Sequence, residues 1–400
     1  MARLIFHVDV NNAFLSWESM YRTAVLGEAL DLRTVPSIVG GDRESRHGIV
    51  LAKSTPAKAY GIHTAEPIQS ALNKCPNLIV VPPRFELYHT CSENFVKILN
   101  DFTPDIEKVS IDEAFLDMTD TCHLFGSPME AAEKLKTRIR DELLFTVNIG
   151  ISINKLLAKM ASDFEKPDRI HSLFPNEIQK KMWPLPVCDL YFVGRSAQKK
   201  MDLLGIRTIG NLARYDTDLL VSHFGEKYGK LIHEYANGIA DDNVTIDNKK
   251  NKGYGNSITL SEDVTSTDAA CQVLLSLSET VGMRLRQDQV KCNSITVETK
   301  DSDFNTQTHQ MTLSESTDIT NVIYKNSCSL LNEFWHGFPP LRLLGIRTTK
   351  ISDENFDQLS LFSSEDEEQK KKQESLDVCL DKIRNRYGSD SVTRASILKK

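Results

Sequence analysis

The sequence predicts a multidomain α+β protein, and three observations support this. A chain of 400 residues exceeds the usual size of a single domain. Its first part, to about residue 173, alternates short apolar runs with helical patterns, as a mixed body of sheet and helix does. The polar run 240–252 indicates an interdomain linker, and the elements after it follow the order β-α-β-β-α-β, the split βαβ arrangement.

Composition and charge narrow the class of protein. Hydrophobic residues make up 40% and charged residues 26% of the chain, an ordinary globular composition. No apolar run is long enough for a membrane span and no leader precedes the first strand, so we expect a cytoplasmic protein. The eight cysteines form no C-x-x-C pair, which favours reduced thiols. The net charge of -7 argues against a strongly basic nucleic-acid binder, although the local field depends on where charges lie.

The elements of the first body follow from apolar runs and their spacing. Helical patterns lie at 91–102 and 128–144, and a mostly helical stretch covers 175–238. The predicted strands are 4–10, 37–39, 78–81, 109–112, 114–117 and 147–152. After the linker, we expect strands at 255–260, 294–300, 307–313 and 341–351, with helices at 267–286 and 318–335. The tail from residue 352 is charged, with a solvated run at 365–373 and a short helix at 374–387.

Acidic residues stand at two strand candidates. Asp9 ends the first strand, and Asp112 and Glu113 lie together in a later hairpin-like segment. Buried carboxylates are costly unless they are paired or bind metal. Neighbouring residues of a strand point to opposite faces, so a bulge, a strand end or a metal is needed before both can serve one site. An acidic pair that simply marks a turn is the alternative.

The segment 150–167 places lysines on one side of a predicted helix. Its apolar residues, from Leu156 to Phe164, share one face at about 100° per residue. Lys155, Lys159 and Lys166 fall on the opposite face. A solvated lysine face is the structural alternative to an anion-binding one.

Two motifs carry a family resemblance. The segments FHVDVNNAF at 6–14 and SIDEAF at 110–115 resemble the metal-binding motifs of Y-family DNA polymerases, in their bacterial DNA polymerase IV branch. The resemblance implies a low-fidelity, template-directed enzyme for translesion synthesis. It also implies that Asp9 and Asp112 bridge two Mg²⁺ ions, with Mn²⁺ able to substitute. The carbonyl of Val10 would assist, and Glu113 would hold the ion at the primer end.

The same resemblance implies a right-hand polymerase fold with an added domain. The palm would comprise 1–20 and 75–173, the fingers 21–74, and a helix-hairpin-helix thumb 174–239. The linker 240–252 would lead to a little finger at 253–351, followed by the tail 352–400.

Incoming-nucleotide contacts are assigned by the resemblance as well. Phe14 occupies the position of the sugar steric gate, and the backbone amides of Asn12, Ala13 and Phe14 would face the triphosphate. Lys166 matches the lysine that holds the triphosphate. A plain core aromatic is the alternative interpretation of Phe14.

The loop 48–61 resembles the fingers segment over the nascent base pair. Gly48, Ile49 and Leu51 would form the roof on the templating base. Where relatives often carry a tyrosine and an arginine for the phosphates, this chain has Thr55 and Lys58. Lys58 can pair with phosphate as a point charge but cannot form a bidentate fork, and Thr55 cannot stack.

DNA contacts are expected in two places. The turns at Gly194 and Gly205, with Arg195 between them, resemble a helix-hairpin-helix that aims backbone N–H groups at a phosphate. Arg342 and Arg347 alternate with apolar neighbours in the last predicted strand and are candidate phosphate contacts. A simple αα-hairpin is the alternative for the first segment.

The polar tail contains one apolar peptide. Gln358, Leu359, Leu361 and Phe362 match the bacterial sliding-clamp-binding peptide. A clamp tether would raise the effective concentration on DNA without basic charge. The expected partners are therefore primer-template DNA, dNTP and the clamp, with the protein itself a monomer. A non-catalytic DNA-binding scaffold and a two-metal nuclease or cyclase are the competing hypotheses.

Overall fold

The structure, a computed structural model, describes residues 3–41, 48–240, 243–245, 251–352, 364–388 and 391–395. The described residues fall into two compact units. The first unit comprises those up to residue 245, and the second comprises those from residue 251 onward. Among the helices that these ranges contain, none is both long enough and apolar enough to cross a membrane.

A five-stranded sheet forms the centre of the first unit, in the order β5-β6-β1-β7-β8. Its strands are β1 (Ile5–Val10), β5 (Ile106–Lys108), β6 (Glu113–Asp117), β7 (Val147–Ser152) and β8 (Ile170–Ser172). Every residue of β1 and β7 is buried, as the apolar runs predict. The strand predicted at 109–112 is wrong, because those residues form a bend between β5 and β6.

Helices cover both faces of this sheet. One face packs the core of Phe6, Val8 and Val10 against α1 (Ala13–Met20), α4 (Phe85–Asn100) and α5 (Pro128–Leu143). The other face receives α6 (Lys155–Ser162), which packs tightly because a side chain at Gly150 would collide with the Ala158 carbonyl.

Helix α6 is shorter than its sequence pattern predicts. Asn154 caps its start by accepting a hydrogen bond from the Leu157 N–H at 2.8 Å. The helix ends at Ser162, so Phe164 and Lys166 lie beyond it. The single lysine face expected from 155 to 166 therefore does not exist as one helical surface.

A smaller three-stranded sheet lies within residues 37–81, in the order β3-β2-β4. Its core of buried residues includes Ile38, Val50, Ile62 and Ile68. Its elements are β2 (Ser37–Gly40), β3 (Val50–Lys53), α2 (Thr55–Ala59), α3 (Ile68–Lys74) and β4 (Ile79–Val81).

The last part of the first unit is helical, as predicted. It packs around buried residues such as Met182, Ile209 and Ile232. Its helices are α7 (Ile178–Lys181), α8 (Arg195–Leu203), α9 (Ile209–Ala213), α10 (Thr217–Phe224) and α11 (Glu226–Ala236). In the predicted linker, the described Thr245 donates its N–H to Glu107 at 2.9 Å, so this part of the linker contacts the first unit.

The second unit has the predicted β-α-β-β-α-β order. Its antiparallel sheet, in the order β11-β10-β12-β9, packs its buried face against two helices. The elements are β9 (Gly253–Val264), α12 (Thr267–Gln287), β10 (Lys291–Asp301), β11 (Thr306–Thr317), α13 (Thr320–Phe334) and β12 (Leu341–Ser352).

The tail helix is longer than predicted. Helix α14 (Ser364–Tyr387) begins before the helix predicted at 374–387 and includes the whole run 365–373, which the sequence predicted to be solvated. Its Asp377 is buried and accepts a hydrogen bond from the Thr320 N–H at 2.8 Å, at the start of α13. The tail therefore docks on the second unit through specific polar contacts.

Candidate active site

The three predicted carboxylates come from the ends of two neighbouring strands. Asp9 lies directly opposite Glu113 in the antiparallel pair of β1 and β6, so the two side chains share one face of the sheet. Asp112 precedes β6 in the bend, and its carbonyl accepts the Val10 N–H at 3.0 Å. Because Asp112 lies in this bend and Glu113 begins β6, the two neighbouring acidic residues can both belong to one site.

A cavity of about 290 Å³ opens beside these residues. It is bordered by the carboxylates Asp9 and Asp112 and by the side chain of Phe14. The other lining residues are Val10, Asn12, Ala13, Leu51, Ala52, Lys53, Thr64 and Ile111. Acidic, aromatic and basic groups therefore meet around one small space.

Two lysines also contact the carboxylates. Lys159 Nζ lies 2.9 Å from Glu113 Oε1 and 3.5 Å from Asp9 Oδ2. Lys166 Nζ lies 3.0 Å from the same Asp9 oxygen and 2.9 Å from Asp163 Oδ1. Lys155 instead pairs with Glu107 at 2.9 Å. The structure thus separates the three lysines, and it adds Lys159 to the one that the motif singled out.

The environment shifts the pKa values of the two paired carboxylates in opposite directions. Burial raises the pKa of Asp9 to about 6, even though Lys166 and Lys159 act to lower it. The His7 imidazole and the Lys159 ammonium hold the pKa of Glu113 well below its usual value. Asp9 is thus a carboxylate whose charge is only partly compensated, which is typical of a functional position.

His7 lies beneath this cluster and was missed by the motif analysis. The side chain is fully buried, and burial lowers the pKa of its imidazole. The Ser162 hydroxyl donates a hydrogen bond to the Lys159 carbonyl. The Ser162 oxygen therefore accepts a hydrogen bond from His7 Nδ1 at 2.8 Å. His7 Nε2 lies 3.6 Å from Glu113 Oε2, beyond hydrogen-bond range, and forms no hydrogen bond within the described residues. A histidine inside a buried strand, two residues before Asp9, was the available signal.

The segment between β1 and α1 borders the cavity next to the carboxylates. Asn12 adopts the left-handed conformation, with φ at 48°, and α1 begins immediately after it. Phe14 is half-buried and stacks on Tyr88 with ring centroids 4.7 Å apart. Packing against this aromatic neighbour fixes the Phe14 ring at the edge of the cavity.

The small sheet contributes the opposite wall. Leu51 lines the cavity as predicted, whereas Gly48 and Ile49 do not. Thr55 and Lys58 are exposed on α2 and also do not line the cavity. Lys53 and Thr64 do, although the sequence analysis named neither. The alternation along β3 could have pointed to Lys53, two residues after Leu51.

The residues predicted to contact DNA lie elsewhere in each unit. Gly194 caps α8, Arg195 is its first residue, and Gly205 follows it with φ at 75°. In the second unit, Arg347 is exposed on β12, and the Arg342 guanidinium lies 5.0 Å from the centre of the Phe304 ring. The predicted clamp peptide, Gln358 to Phe362, lies outside the described residues.

The cavity offers oxygen ligands of the kind that hard divalent cations prefer. These are the carboxylates of Asp9 and Asp112, and Val10 lines the cavity beside them. In this arrangement, no three acidic, histidine or cysteine side chains of the described residues converge closely enough to hold an ion. The ammonium groups of Lys159 and Lys166 lie on the Asp9 carboxylate instead. The chemistry of these donors suits a divalent cation, and the two lysines contact the same oxygen of Asp9.

Comparisons with known proteins cover almost the whole chain. The impB/mucB/samB family model matches residues 8–163, and the model of that family's C-terminal domain matches 251–361. The model described as the thumb domain of DNA polymerase-iota matches 189–240.

Curated relatives match over the full length. DNA polymerase IV of Clostridium acetobutylicum is 45% identical, over 100% of this chain and 99% of the relative. DNA polymerase IV 1 of Bacillus subtilis is 35% identical, over 100% and 94%. A solved Y-family DNA polymerase chimera shares the fold at 22% identity with a TM-score of 0.76, covering 88% of this chain and 100% of the chimera.

These features define a DNA-directed DNA polymerase: a sheet that carries the carboxylates, a helical segment, and a β-α-β-β-α-β unit. The full-length relatives narrow the class further. The chain belongs to the Y family of DNA polymerases, in the DNA polymerase IV group.

Proposed function

We propose that this polymerase adds dNTPs to a primer by two-metal nucleotidyl transfer during translesion synthesis. The observation that carries the proposal is the cavity beside β1, where Asp9 and Asp112 meet Phe14, with Glu113 opposite Asp9. Carboxylates and an aromatic residue around one space, with lysines in contact with the carboxylates, are what a site for a metal-bound triphosphate requires.

Asp9, Asp112, Glu113 and the Val10 carbonyl would hold two Mg²⁺ ions, and Mn²⁺ would substitute. When bound, the ions supply the charge that activates the primer hydroxyl and stabilises the leaving pyrophosphate. Lys159 and Lys166 share one oxygen of Asp9, so at least one ammonium would have to leave that oxygen before it could serve as a metal ligand. Lys166, the more exposed of the two, would then turn to the triphosphate.

Sugar selection would depend on Phe14. Its ring stacks on Tyr88 and borders the cavity, so it cannot move aside easily for a 2′-hydroxyl. The backbone of Asn12 to Phe14, at the start of α1, would face the triphosphate. Thr55 and Lys58 would reach the phosphates only from the rim, because both are exposed on α2.

The family predicts the polymerase role of each part of the chain. Residues 1–20 and 75–173 would be the palm, 21–74 the fingers and 174–239 the thumb. After the linker 240–252, residues 253–351 would be the little finger and 352–400 the tail. The templating base would meet Leu51, with Gly48 and Ile49 on the adjoining loop.

DNA would be held mainly through its backbone. The N-terminus of α8, at Gly194 and Arg195, and the turn at Gly205 would face a phosphate. Arg347 is exposed and available to a phosphate, while Arg342 would have to leave the Phe304 ring. These few contacts, with a net charge of -7, suit an enzyme that releases DNA readily.

A sliding clamp would compensate for this weak grip. Gln358, Leu359, Leu361 and Phe362 would bind it, raising the local concentration of the enzyme on DNA. The protein would act as a monomer in the cytoplasm.

Primer extension with Mg²⁺ and dNTPs tests the proposal, with wild type compared to Glu113→Ala. We expect short, template-directed products from wild type and a loss of about 10³-fold or more in the variant. Glu93→Ala removes an exposed carboxylate of the same unit and is the matched control, with unchanged extension expected. Absence of extension by wild type, with DNA binding retained, would favour a non-catalytic scaffold.

A further inference from the structure

Lys53 has a fixed position at the end of strand β3. Its backbone pairs with Ile38 of β2. The next residue, Ser54, donates its hydroxyl to the Val35 carbonyl at 2.7 Å and accepts the Ala57 N–H at 3.1 Å, which starts α2. The strand end is therefore held on both sides, and the Lys53 side chain projects from a rigid position.

The Lys53 side chain borders the same cavity as the carboxylates. It lines that space together with Asp9, Asp112, Phe14 and Thr64. Lys53 Nζ donates to the Thr64 hydroxyl oxygen at 3.2 Å, which holds the ammonium toward this wall. An ammonium has three N–H donors, so two of them remain for a ligand.

The charge of Lys53 has no acidic partner in the described part of the chain. Glu66, the carboxylate that acts on it electrostatically, is bonded to Lys74 at 2.6 Å. Burial and the nearby Lys58 ammonium lower the pKa of Lys53. The positive charge of Lys53 is therefore not balanced by its surroundings. By contrast, Lys159 and Lys166 each contact two or more carboxylate groups. Of these three lysines, Lys53 is therefore the one whose charge no carboxylate of the described residues balances.

We propose that Lys53, positioned by Thr64, binds the triphosphate of the incoming nucleotide. This inference rests on the polymerase function proposed above. The phosphate contacts that the family pattern puts on α2 fall here at Thr55 and Lys58, which do not line the cavity. Lys53 supplies the missing positive charge from β3. A compact ammonium suits phosphate oxygens, whereas recognition of a base edge would favour a planar, bidentate group.

Single-nucleotide insertion kinetics with each of the four dNTPs test this assignment. For Lys53→Met, which keeps the length of the stem, we expect KM to rise about tenfold for all four dNTPs with little change in kcat, as loss of one uniform binding contact predicts. Lys53→Arg should restore most of the affinity. Thr64→Val, which removes only the positioning hydroxyl, should raise KM by a smaller factor.

Lys97→Met, at an exposed lysine of α4, is the matched control and should leave KM unchanged. Thermal melting of each variant shows that the fold is kept. An unchanged KM in Lys53→Met, or a rise confined to particular bases, would overturn the triphosphate assignment while leaving the polymerase function intact. Wild type that fails to insert nucleotides would instead overturn the proposed function itself.

Discussion

Each unit of the protein contains a cluster of partly buried charges, and the clusters differ in how fully the charges are paired. In the first unit, Asp9 and Glu113 face Lys159 and Lys166 beside an open cavity. In the second unit, Arg286 lies between Asp377 and Asp381, at 3.3 and 2.7 Å. Both clusters hold charges partly out of water, and the first also borders the cavity that Asp9 lines.

The second cluster satisfies its own members. Asp377 also accepts the Thr320 N–H, and the Arg286 guanidinium also donates to the Asp318 carbonyl at 2.6 Å. Nearby, Glu279 accepts from Arg384 at 3.0 Å and from Arg394 at 2.7 Å. These contacts join α14 and the residues after it to α12 and α13. The role of this cluster is to dock the tail helix.

The first cluster leaves its charges partly unsatisfied. Burial raises the pKa of Asp9 to about 6 although two ammonium groups lie close to it. His7 Nε2 forms no hydrogen bond within the described ranges. The comparison teaches that buried charge alone does not indicate a catalytic site, whereas incomplete compensation beside a cavity does. Changes in the first unit should thus alter chemistry, and changes in the second should alter tethering or stability.

The largest expected effect concerns the tail. Replacing Leu361 and Phe362 by Ala should remove clamp stimulation of primer extension, a loss of about 10²–10⁴-fold in the stimulated rate, because tethering supplies effective concentration. Extension without the clamp should stay at the wild-type level. Leu376→Ala, at an exposed apolar residue of α14, is the control. Persistent stimulation would show that the clamp binds elsewhere.

Arg286→Met should separate docking from catalysis. Removing the guanidinium takes the ion-pair partner from Asp381 and leaves buried Asp377, among the described residues, with only the longer ion-pair contact to Arg394 at 3.5 Å. Loss of one member of a buried ion pair costs about 3–5 kcal/mol. We expect faster hydrogen exchange in α14 and a lower melting temperature, with single-nucleotide insertion unchanged. Arg284→Met, two residues earlier on the exposed side of α12, is the matched control. Equal protection of α14 in both variants would contradict the docking role.

Phe14→Ala should change substrate choice in the first unit. Removing the ring opens the space that a ribose 2′-hydroxyl would occupy, so ribonucleotide insertion should rise by about tenfold or more relative to dNTP insertion. The measurement is insertion kinetics with matched ribo- and deoxyribonucleotides. Phe85→Ala, at an exposed ring beside Phe14, is the control. Unchanged sugar discrimination would contradict the steric-gate assignment.

The smallest expected effect is the pH dependence of stability from Asp9. Its pKa is about 6 when folded, against an ordinary value of 3.8, so the folded state binds its proton more tightly than the unfolded state does. This contribution to stability is complete below pH 3.8 and is lost as pH rises through 6. In EDTA, Asp9→Asn should therefore stabilise the protein at pH 8 by on the order of 1 kcal/mol, and the gain should vanish in acid.

Chemical denaturation at several pH values measures this difference. Asp120→Asn, at an exposed carboxylate, should show no comparable gain. A destabilised Asp9→Asn variant at pH 8 would mean that Lys159 and Lys166 fully compensate the carboxylate.

Apolar periodicity in the sequence correctly predicted several elements of the fold. The buried strand ending at Asp9 and the β-α-β-β-α-β order follow from apolar periodicity, and both are present. The strand expected at 109–112 fails because Ser110 donates its hydroxyl to Asp112 at 2.6 Å, a local bond that competes with strand pairing.

Contacts between distant parts of the chain were beyond sequence reasoning. Arg286 and its partners on α14 are separated by more than 90 residues, and α14 has too few apolar residues to reveal a docked face. The Lys53 side chain joins the site because β3 and the bend at Asp112 border one cavity, which no local motif encodes. The contacts of Lys159 with Asp9 and of His7 with Ser162 depend on how α6 packs against β1, which no local pattern encodes.

The central claim, that Asp9, Asp112 and Glu113 hold two metal ions, can be tested by counting Mn²⁺. The sample is a complex of the protein with dNTP and primer-template DNA whose primer lacks a 3′-hydroxyl, and bound Mn²⁺ is measured by electron paramagnetic resonance. We predict two ions for each wild-type complex and a loss of one in Glu113→Ala, with Glu93→Ala unchanged. Equal Mn²⁺ binding by wild type and Glu113→Ala would contradict the account.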